Sequence, residues 1–347
     1  MLKNIEIQNF RGIRSAKIEN LRQINILIGK NGSGKSSILE AIYLVSSCAS
    51  MFDAVRRENK IDYVVSRRGG RGDWKSSNQV LWYLMDTSKN IEVKLGLNDK
   101  SVKFKVFSKG FPPVWLKIPE GYLNLNTNKF LEREDLSLPV LRPNMVEKFK
   151  DLKSWLENVV LLDRDLLSDP LNVERYAWSR VAARRLDKHI VSLIKEEFEP
   201  DAEGLTYLPI GDSYVLALQL SGTTVRVDDL GDGARIALLA SLILLASNPS
   251  LVLFEEPENH MHPAGLRSLL NFIFKLAGES NFQLFISTHS IELIRIAERL
   301  AGDLSLPLSI IYVERNSNGI LDARSFSAED AEILRKLGID PRLLYIL

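Results

Sequence analysis

The sequence predicts an α/β fold: a mixed β-sheet with an N-terminal antiparallel part and an inserted helical lobe. Three features carry this expectation. Ile24 to Val45, INILIGKNGSGKSSILEAIYLV, reads as a buried strand, a glycine-rich turn and a helix in immediate succession. From about Gly231, helical and extended patterns alternate as far as Ala323, as βα units do. Leu2 to Ile18 and Ile91 to Phe107 instead alternate apolar with polar residues, like antiparallel strands with one wet face. At 347 residues the chain is expected to form one two-lobed domain. About 1–50 and 205–347 would build the core, and about 51–204 an inserted β-rich and helical lobe.

From the start of the chain, Leu2, Ile5 and Ile7 lead to Asn9-Phe10-Arg11-Gly12, and Ile13 to Ile18 resumes the extended pattern, which implies a hairpin. Ile24, Ile26 and Ile28 form the next strand, and Ile38, Leu39, Ala41, Ile42 and Val45 recur at helical spacing after the glycines. Met51 to Ser77 is polar and basic, with Arg56-Arg57, Arg67-Arg68 and Gly69-Gly70-Arg71-Gly72, a composition that suits an exposed loop. Val80–Met85, Ile91–Leu97 and Val102–Phe107 read as antiparallel strands. Phe111 to Arg142, with its prolines and asparagines, yields little assignment.

Val159–Leu162 reads as a short buried strand. Asn172 to Phe198 is the longest helical candidate of the middle region, with mixed charges that sustain no long coiled coil. Strands are expected at Leu205–Leu208, Tyr214–Leu220 and Thr223–Val227. The last third then runs as a helix from about Gly231, a strand at Leu251–Phe254 and a helix from Pro263. A strand at Phe282–Ile286, a helix from Ser290 and strands near Ile310–Val313 and Ile320–Ala323 follow.

Hydrophobic content of 45% and charged content of 26% support a core of ordinary size. A formal net charge of +1 means that any nucleic-acid partner must be held by a local patch rather than by bulk charge. The single cysteine, Cys48, cannot form an internal disulfide, and a cytoplasmic location is expected. The longest apolar run, Ile236 to Ala246, is interrupted by Ser241 and too short to cross a bilayer.

The chemistry starts at Gly29-Lys30-Asn31-Gly32-Ser33-Gly34-Lys35-Ser36, which matches G-x-x-x-x-G-K-[ST] at every fixed position. The glycines let successive N–H groups face one anion, and the helix start adds its positive end. Asn31 to Ser37 are therefore expected to bind a nucleoside triphosphate, with Lys35 on the β- and γ-phosphates and Ser36 on Mg²⁺. Leu251-Val252-Leu253-Phe254 ends in Glu255-Glu256, so a buried strand delivers paired carboxylates. Glu255 is assigned to the metal and Glu256 to the attacking water.

Leu284 to Ile286 likewise delivers Ser287-Thr288-His289, and His289 is assigned to the γ-phosphate and the water. Gly231-Asp232-Gly233 opens another helix and reads as a second anion-binding turn, useful if it closes on another subunit's nucleotide. His260 and His262 lack further His or Cys partners nearby. They read as a subunit-contact loop rather than a zinc site.

Taken together, Asn9-Phe10-Arg11-Gly12, GKNGSGKSS at 29–37, LGDGAR at 230–235, LVLFEEPENHMHP at 251–263 and ISTHS at 286–290 resemble the ABC-type ATPases of the SMC, RecF and OLD group. The resemblance runs the length of the chain and is to small stand-alone members without long coiled coils. It implies a P-loop ABC-type ATPase head that sandwiches ATP and Mg²⁺ between two copies. An ATP-dependent homodimer, coupled to nucleic acid or a nucleoprotein partner, follows from it.

Matched to the group, Arg11 stands at a basic position that approaches the nucleotide. Gly231 replaces the serine of the signature loop, and Glu255 stands where an Asp is usual. Asp163 and Arg164 are the candidate for the loop that senses the γ-phosphate. Leu304 to Leu347 lacks the acidic cluster of an OLD nuclease module, so nuclease activity is not expected. Arg56, Arg57, Arg67, Arg68, Arg71 and the Arg180–Lys188 face are the candidate nucleic-acid contacts. The competing reading of the same motifs is an ATP-binding scaffold with little or no hydrolysis.

Overall fold

The computed structural model describes residues 1–98, 100–134, 139–327 and 330. At its centre, Ile24–Ile28 lies between two parallel neighbours, Gln283–Ser287 and Leu308–Arg315. Leu251–Glu255 and then Val159–Leu162 continue the parallel series to one edge. On the other side Leu308–Arg315 pairs antiparallel with Ile320–Phe326, which runs parallel to Ile13–Ile18 of the N-terminal hairpin. From Leu2–Phe10 the sheet continues antiparallel through Ile91–Leu97, Lys100–Val106, Val114–Ile118, Gly121–Asn124, Lys129–Leu131 and Val140–Leu141. These fourteen strands form one mixed sheet, the architecture read from the sequence.

The parallel strands are buried, and mostly apolar, at consecutive positions because both faces are covered. Ile24, Ile26 and Ile28, with Val252 and Phe254, face a core shared with the helices Asp232–Ser247, Pro263–Ser280 and Ile291–Asp303. Leu27, Leu251 and Leu253 face the opposite core, built on the helix Lys35–Ser46 and the antiparallel strands. Asp232–Ser247 is apolar nearly all round, as a helix wedged between the sheet and the outer helices must be. The small sheet of Ala202–Ile210, Ser213–Leu220 and Thr224–Arg226 adds Ala202, Leu216 and Leu218 to that core.

Several local expectations are corrected. Residues 51–68 are not an exposed loop: Phe52–Asp53 pairs with Glu58–Asn59, and Lys60–Ser66 is a helix with Ile61 and Val64 fully buried. Its arginines look solvated in sequence because their acidic partners lie far along the chain. Val80–Met85 is not a strand but two short 3-10 turns, Asn78–Leu81 and Tyr83–Met85, with Leu84 and Met85 at positive φ. The long middle helix is two, Pro170–Ala183 and Asp187–Glu197, parted where Arg185 turns left-handed at φ 56°. The stretch 111–142 contributes four strands to the sheet, and part of Leu304 to Leu347 lies outside the described residues. Among those residues no helix is long and apolar enough to cross a membrane.

Leu239 sits fully buried in the helix that backs the parallel strands. Leu239→Ala should therefore lower unfolding free energy by about 2–5 kcal/mol in a denaturant titration, whereas the same change at exposed Leu171 should cost well under ~1 kcal/mol.

Candidate phosphate-binding site

The parallel register sets Glu255 opposite Ser287, and Ser287 opposite Leu27, so three strand tips end on one line. Two backbone bonds lock them together: Thr288 N donates to Leu27 O at 3.1 Å and Glu256 N to Ser287 O at 2.9 Å. The glycine loop, the paired carboxylates and His289 are neighbours for that reason. A cavity of about 380 Å³ opens there, lined by Asn31, Gly32, Gly34, Lys35, Ser36, Ser37, Glu255, Glu256 and His289 from the sequence assignment. Gly12, Glu40, Arg67, Arg68 and Arg315 complete its wall.

The loop itself has little conformational freedom. Gly29 has φ 145°, and a Cβ there would meet the Val313 carbonyl oxygen at 2.2 Å, so only glycine fits. Gly34 caps the helix Lys35–Ser46 at φ 108°, and no acidic residue occupies the first turn to offset the positive end of its dipole. The Lys35 ammonium donates to the carbonyls of Gly29 at 2.9 Å and Lys30 at 3.0 Å, which holds it over the loop. Burial lowers its pKa to about 8, against the opposing pull of Glu256, Glu258 and Glu255. Ser33 is buried, with an Oγ that finds no hydrogen-bond partner among the described residues.

Glu256 adopts a left-handed conformation at φ 45°, which is costly for a residue with a side chain. The turn aims its carboxylate at His289, Nε2 to Oε1 at 3.3 Å, while Asn259 donates to its other oxygen at 2.9 Å. Glu258, a residue not assigned from the sequence, accepts the His289 backbone N–H at 3.0 Å and the Thr288 hydroxyl at 2.5 Å. It therefore sets the loop from which His289 projects. The sequence signal for it was the third carboxylate of Glu255-Glu256-Pro257-Glu258.

Beneath the cavity lies a network of buried ion pairs. The Arg67 guanidinium contacts Glu255, and also Glu40 at 3.3 Å and Asp163 at 3.4 Å. Glu40 accepts from Arg11 Nε at 2.9 Å and Arg68 Nε at 3.0 Å. Asp163 accepts from Arg56 at 2.8 Å and from the Tyr63 hydroxyl, and caps the turn Arg164–Leu167 through the Leu166 N–H. Burial alone would lower the Arg67 pKa, but Glu255, Glu40 and Asp163 hold it above its ordinary value. Burial would raise that of Asp163, yet Arg56 and Arg67 keep it below the usual carboxylate range. A lone Glu40 within the apolar run SILEAIYLV was the one sequence sign that a buried cation must face this helix.

Several assignments move. Arg11 does not reach the cavity; it is buried against Glu40 and donates to the carbonyls of Val64 and Val80, because its left-handed backbone turns it inward. Gly12 and Arg315 stand at the wall instead, joined by a 3.0 Å bond from the guanidinium to the Gly12 carbonyl. Arg56 and Arg67 are likewise buried, which removes them as nucleic-acid contacts; Arg57, Arg68 and Arg71 remain exposed. Gly231, Asp232 and Gly233 do not line this cavity. Asp232 lies on a neighbouring groove with Arg235 and His260, on the far side of Glu255 and Glu256. His262 caps the helix Pro263–Ser280, its Nδ1 accepting from Ala264 N at 3.3 Å.

Comparison with known proteins bears on this site. Residues 1–103 match the family described as "AAA ATPase domain", and residues 128–295 match "AAA domain, putative AbiEii toxin, Type IV TA system". An ATP/GTP phosphatase of Helicobacter pylori is 21% identical, with 86% of this chain and 88% of that protein covered. RecF of Francisella tularensis is 30% identical over 26% of this chain, a match that spans only 29% of RecF. Among solved structures, an Smc head bound to the C-winged helix domain of ScpA is similar at TM-score 0.56 and 16% identity, covering 95% of this chain and 99% of that one. A Pyrococcus furiosus Smc head with an extended coiled coil, bound to the C-terminal domain of ScpA, is similar at TM-score 0.53 and 14% identity, covering 97% and 99%.

Two measurements test the geometry. Asp163→Ala removes the closest carboxylate of buried Arg56 and Tyr63, leaving them only Asp53 at 3.9 Å and Asp165 at 3.3 Å, and should cost about 3–5 kcal/mol in a denaturant titration. A nucleotide held by protonated Lys35 should bind with constant affinity below pH 8, because the ammonium is already charged there. Above pH 8 affinity for ADP should fall, toward ~10-fold per pH unit, and Lys35→Ala should flatten that profile in calorimetry.

Proposed function

We propose that this chain, which matches AAA ATPase family models over 1–103 and 128–295 and shares its fold with Smc heads, is an SMC/RecF-like ABC-type ATPase that binds Mg²⁺–ATP at the Gly29–Ser37 loop and hydrolyses it with Glu256 and His289. The supporting observation is the convergence of a lysine-bearing phosphate loop, a strained carboxylate and a histidine on one cavity. The donor set suits a hard divalent cation, since the Ser36 hydroxyl and the Glu255 carboxylate both line it with oxygen. Bound there, Mg²⁺ would neutralise charge on the transferring phosphoryl group.

The chain's own residues do the rest. Loop N–H groups and Lys35 cradle the phosphates, with Lys35 exchanging two carbonyls for phosphate oxygens. Glu256 accepts a hydrogen bond from the attacking water and orients it in line with the γ-phosphate. His289, held by Glu258 through its backbone N–H, supports Glu256 and donates toward the phosphoryl oxygens. The Gly231–Gly233 turn, which does not line its own cavity, closes on the nucleotide of a second copy. The resulting head dimer is the switch, coupled to nucleic acid or a nucleoprotein partner. If exposed Arg57, Arg71 and Arg180 contact phosphates there, affinity will fall steeply with salt.

Two observations favour a second reading, ATP as a structural ligand with slow turnover. Glu255 is engaged by Arg67, and Gly231 offers no hydroxyl to a partner's γ-phosphate. Glu256→Gln discriminates between the readings. On the hydrolytic reading it lowers phosphate release by more than ~100-fold, and light scattering records a dimer only with Mg²⁺–ATP. Wild-type turnover no faster than that of Glu256→Gln would favour the structural-ligand reading, and a mass that ATP leaves unchanged would remove the switch.

A further inference from the structure

Arg67 stands in an unequal set of partnerships. Of its three carboxylate partners, Glu40 is also held by Arg11 and Arg68, and Asp163 by Arg56 and Tyr63. Glu255 takes its described ion pair from Arg67 alone. Glu255 is also the most exposed of the three, its side chain 18% accessible against 1% and 2%, and it faces the phosphate cavity. A guanidinium and a divalent cation on one carboxylate repel each other and compete for the same oxygens.

We propose that Arg67 is a positioning residue that holds Glu255 by charge and yields it to the divalent cation accompanying the nucleotide. This rests on the assignment of Glu255 to the metal. Release is tolerable because Arg67 keeps Glu40 and Asp163, so no buried charge is stranded by the exchange. Arg67 directly follows the helix Lys60–Ser66, and Asp163 begins the turn that leads into the inserted helices. Arrival of the cation is thereby felt by two segments outside the nucleotide loop. Arg68, next along, bonds Ser37 Oγ at 2.9 Å and Glu40, and ties the same segment to the first turn of the loop helix.

The test uses the full chain, ADP and Mn²⁺ as the paramagnetic probe, with free Mn²⁺ read by electron paramagnetic resonance. Arg67→Gln should bind Mn²⁺ in the presence of ADP at least ~10-fold more tightly than wild type, because the competitor is gone. Arg67→Lys, which keeps a charge, should stay near wild type. Glu255→Gln should bind at least ~10-fold more weakly, and the double variant should match Glu255→Gln. An Arg67→Gln affinity equal to or below wild type overturns the proposal, as does a double variant that keeps the gain.

If Glu255→Gln binds Mn²⁺ as wild type does, the metal assignment itself fails. If it weakens binding while Arg67→Gln brings no gain, only the role of Arg67 fails. Wild-type protein supplies a readout that needs no variant. Amide hydrogen exchange across 60–68 should change with Mn²⁺–ADP but not with ADP plus chelator, and identical exchange in both overturns the proposal.

Discussion

Everything at the site depends on the parallel register around Ile24–Ile28. Strands buried on both faces carry few polar side chains along their length, and those present, such as Asn25, are spent on backbone hydrogen bonds, so the chemistry gathers at the strand ends. The pairing of Glu255 with Ser287 and of Ser287 with Leu27 makes those ends coincide. A slip of one residue would send Val252 and Phe254 to the wrong core and carry Glu255 away from the loop. The bonds from Thr288 and Glu256 across the tips resist such a slip, and they hold Glu256 in its left-handed turn.

The second constraint is electrostatic. The proposed binding of polyphosphate and a divalent cation would call for carboxylates and cations in one small volume. Here the carboxylates Glu40, Asp163 and Glu255 are interleaved with Arg11, Arg56, Arg67 and Arg68. Removal of one member leaves a buried partner uncompensated, a larger loss than the net worth of the pair. The network joins the helix after the phosphate loop, the 51–68 segment and the tips of two strands, Leu251–Glu255 and Val159–Leu162. That makes it a mechanical link as well as a neutralising one.

Legibility in the sequence followed the range of the forces involved. Local signals were sufficient for the phosphate loop, where glycine positions, a strand and a helix succeed one another within a few turns of chain. They were sufficient for Glu255-Glu256 and for Ser287-Thr288-His289, because an apolar run that stops at polar residues marks a strand tip. They misled at Arg11, whose motif position suggested nucleotide contact but whose backbone turns it toward Glu40. They misled again at Arg56 and Arg67, since a basic stretch with glycines reads as solvated until its acidic partners are known. Asp163 lies 107 residues from Arg56, and Glu255 lies 188 from Arg67.

Readable from the sequence alone were the fold class, the order of the βα units and the strand, glycine turn and helix that open the site, all of which rest on periodicity and steric rules that act over short spans. Only the tertiary structure decided which charges meet. Ion pairing is set by distance in space, and two side chains separated by half the chain become neighbours only after the sheet has chosen its strand order. The same folding step decided that the Gly231–Gly233 turn does not line the cavity, Asp232 lying instead on a neighbouring groove, and that Glu258 rather than a residue of the histidine strand anchors His289.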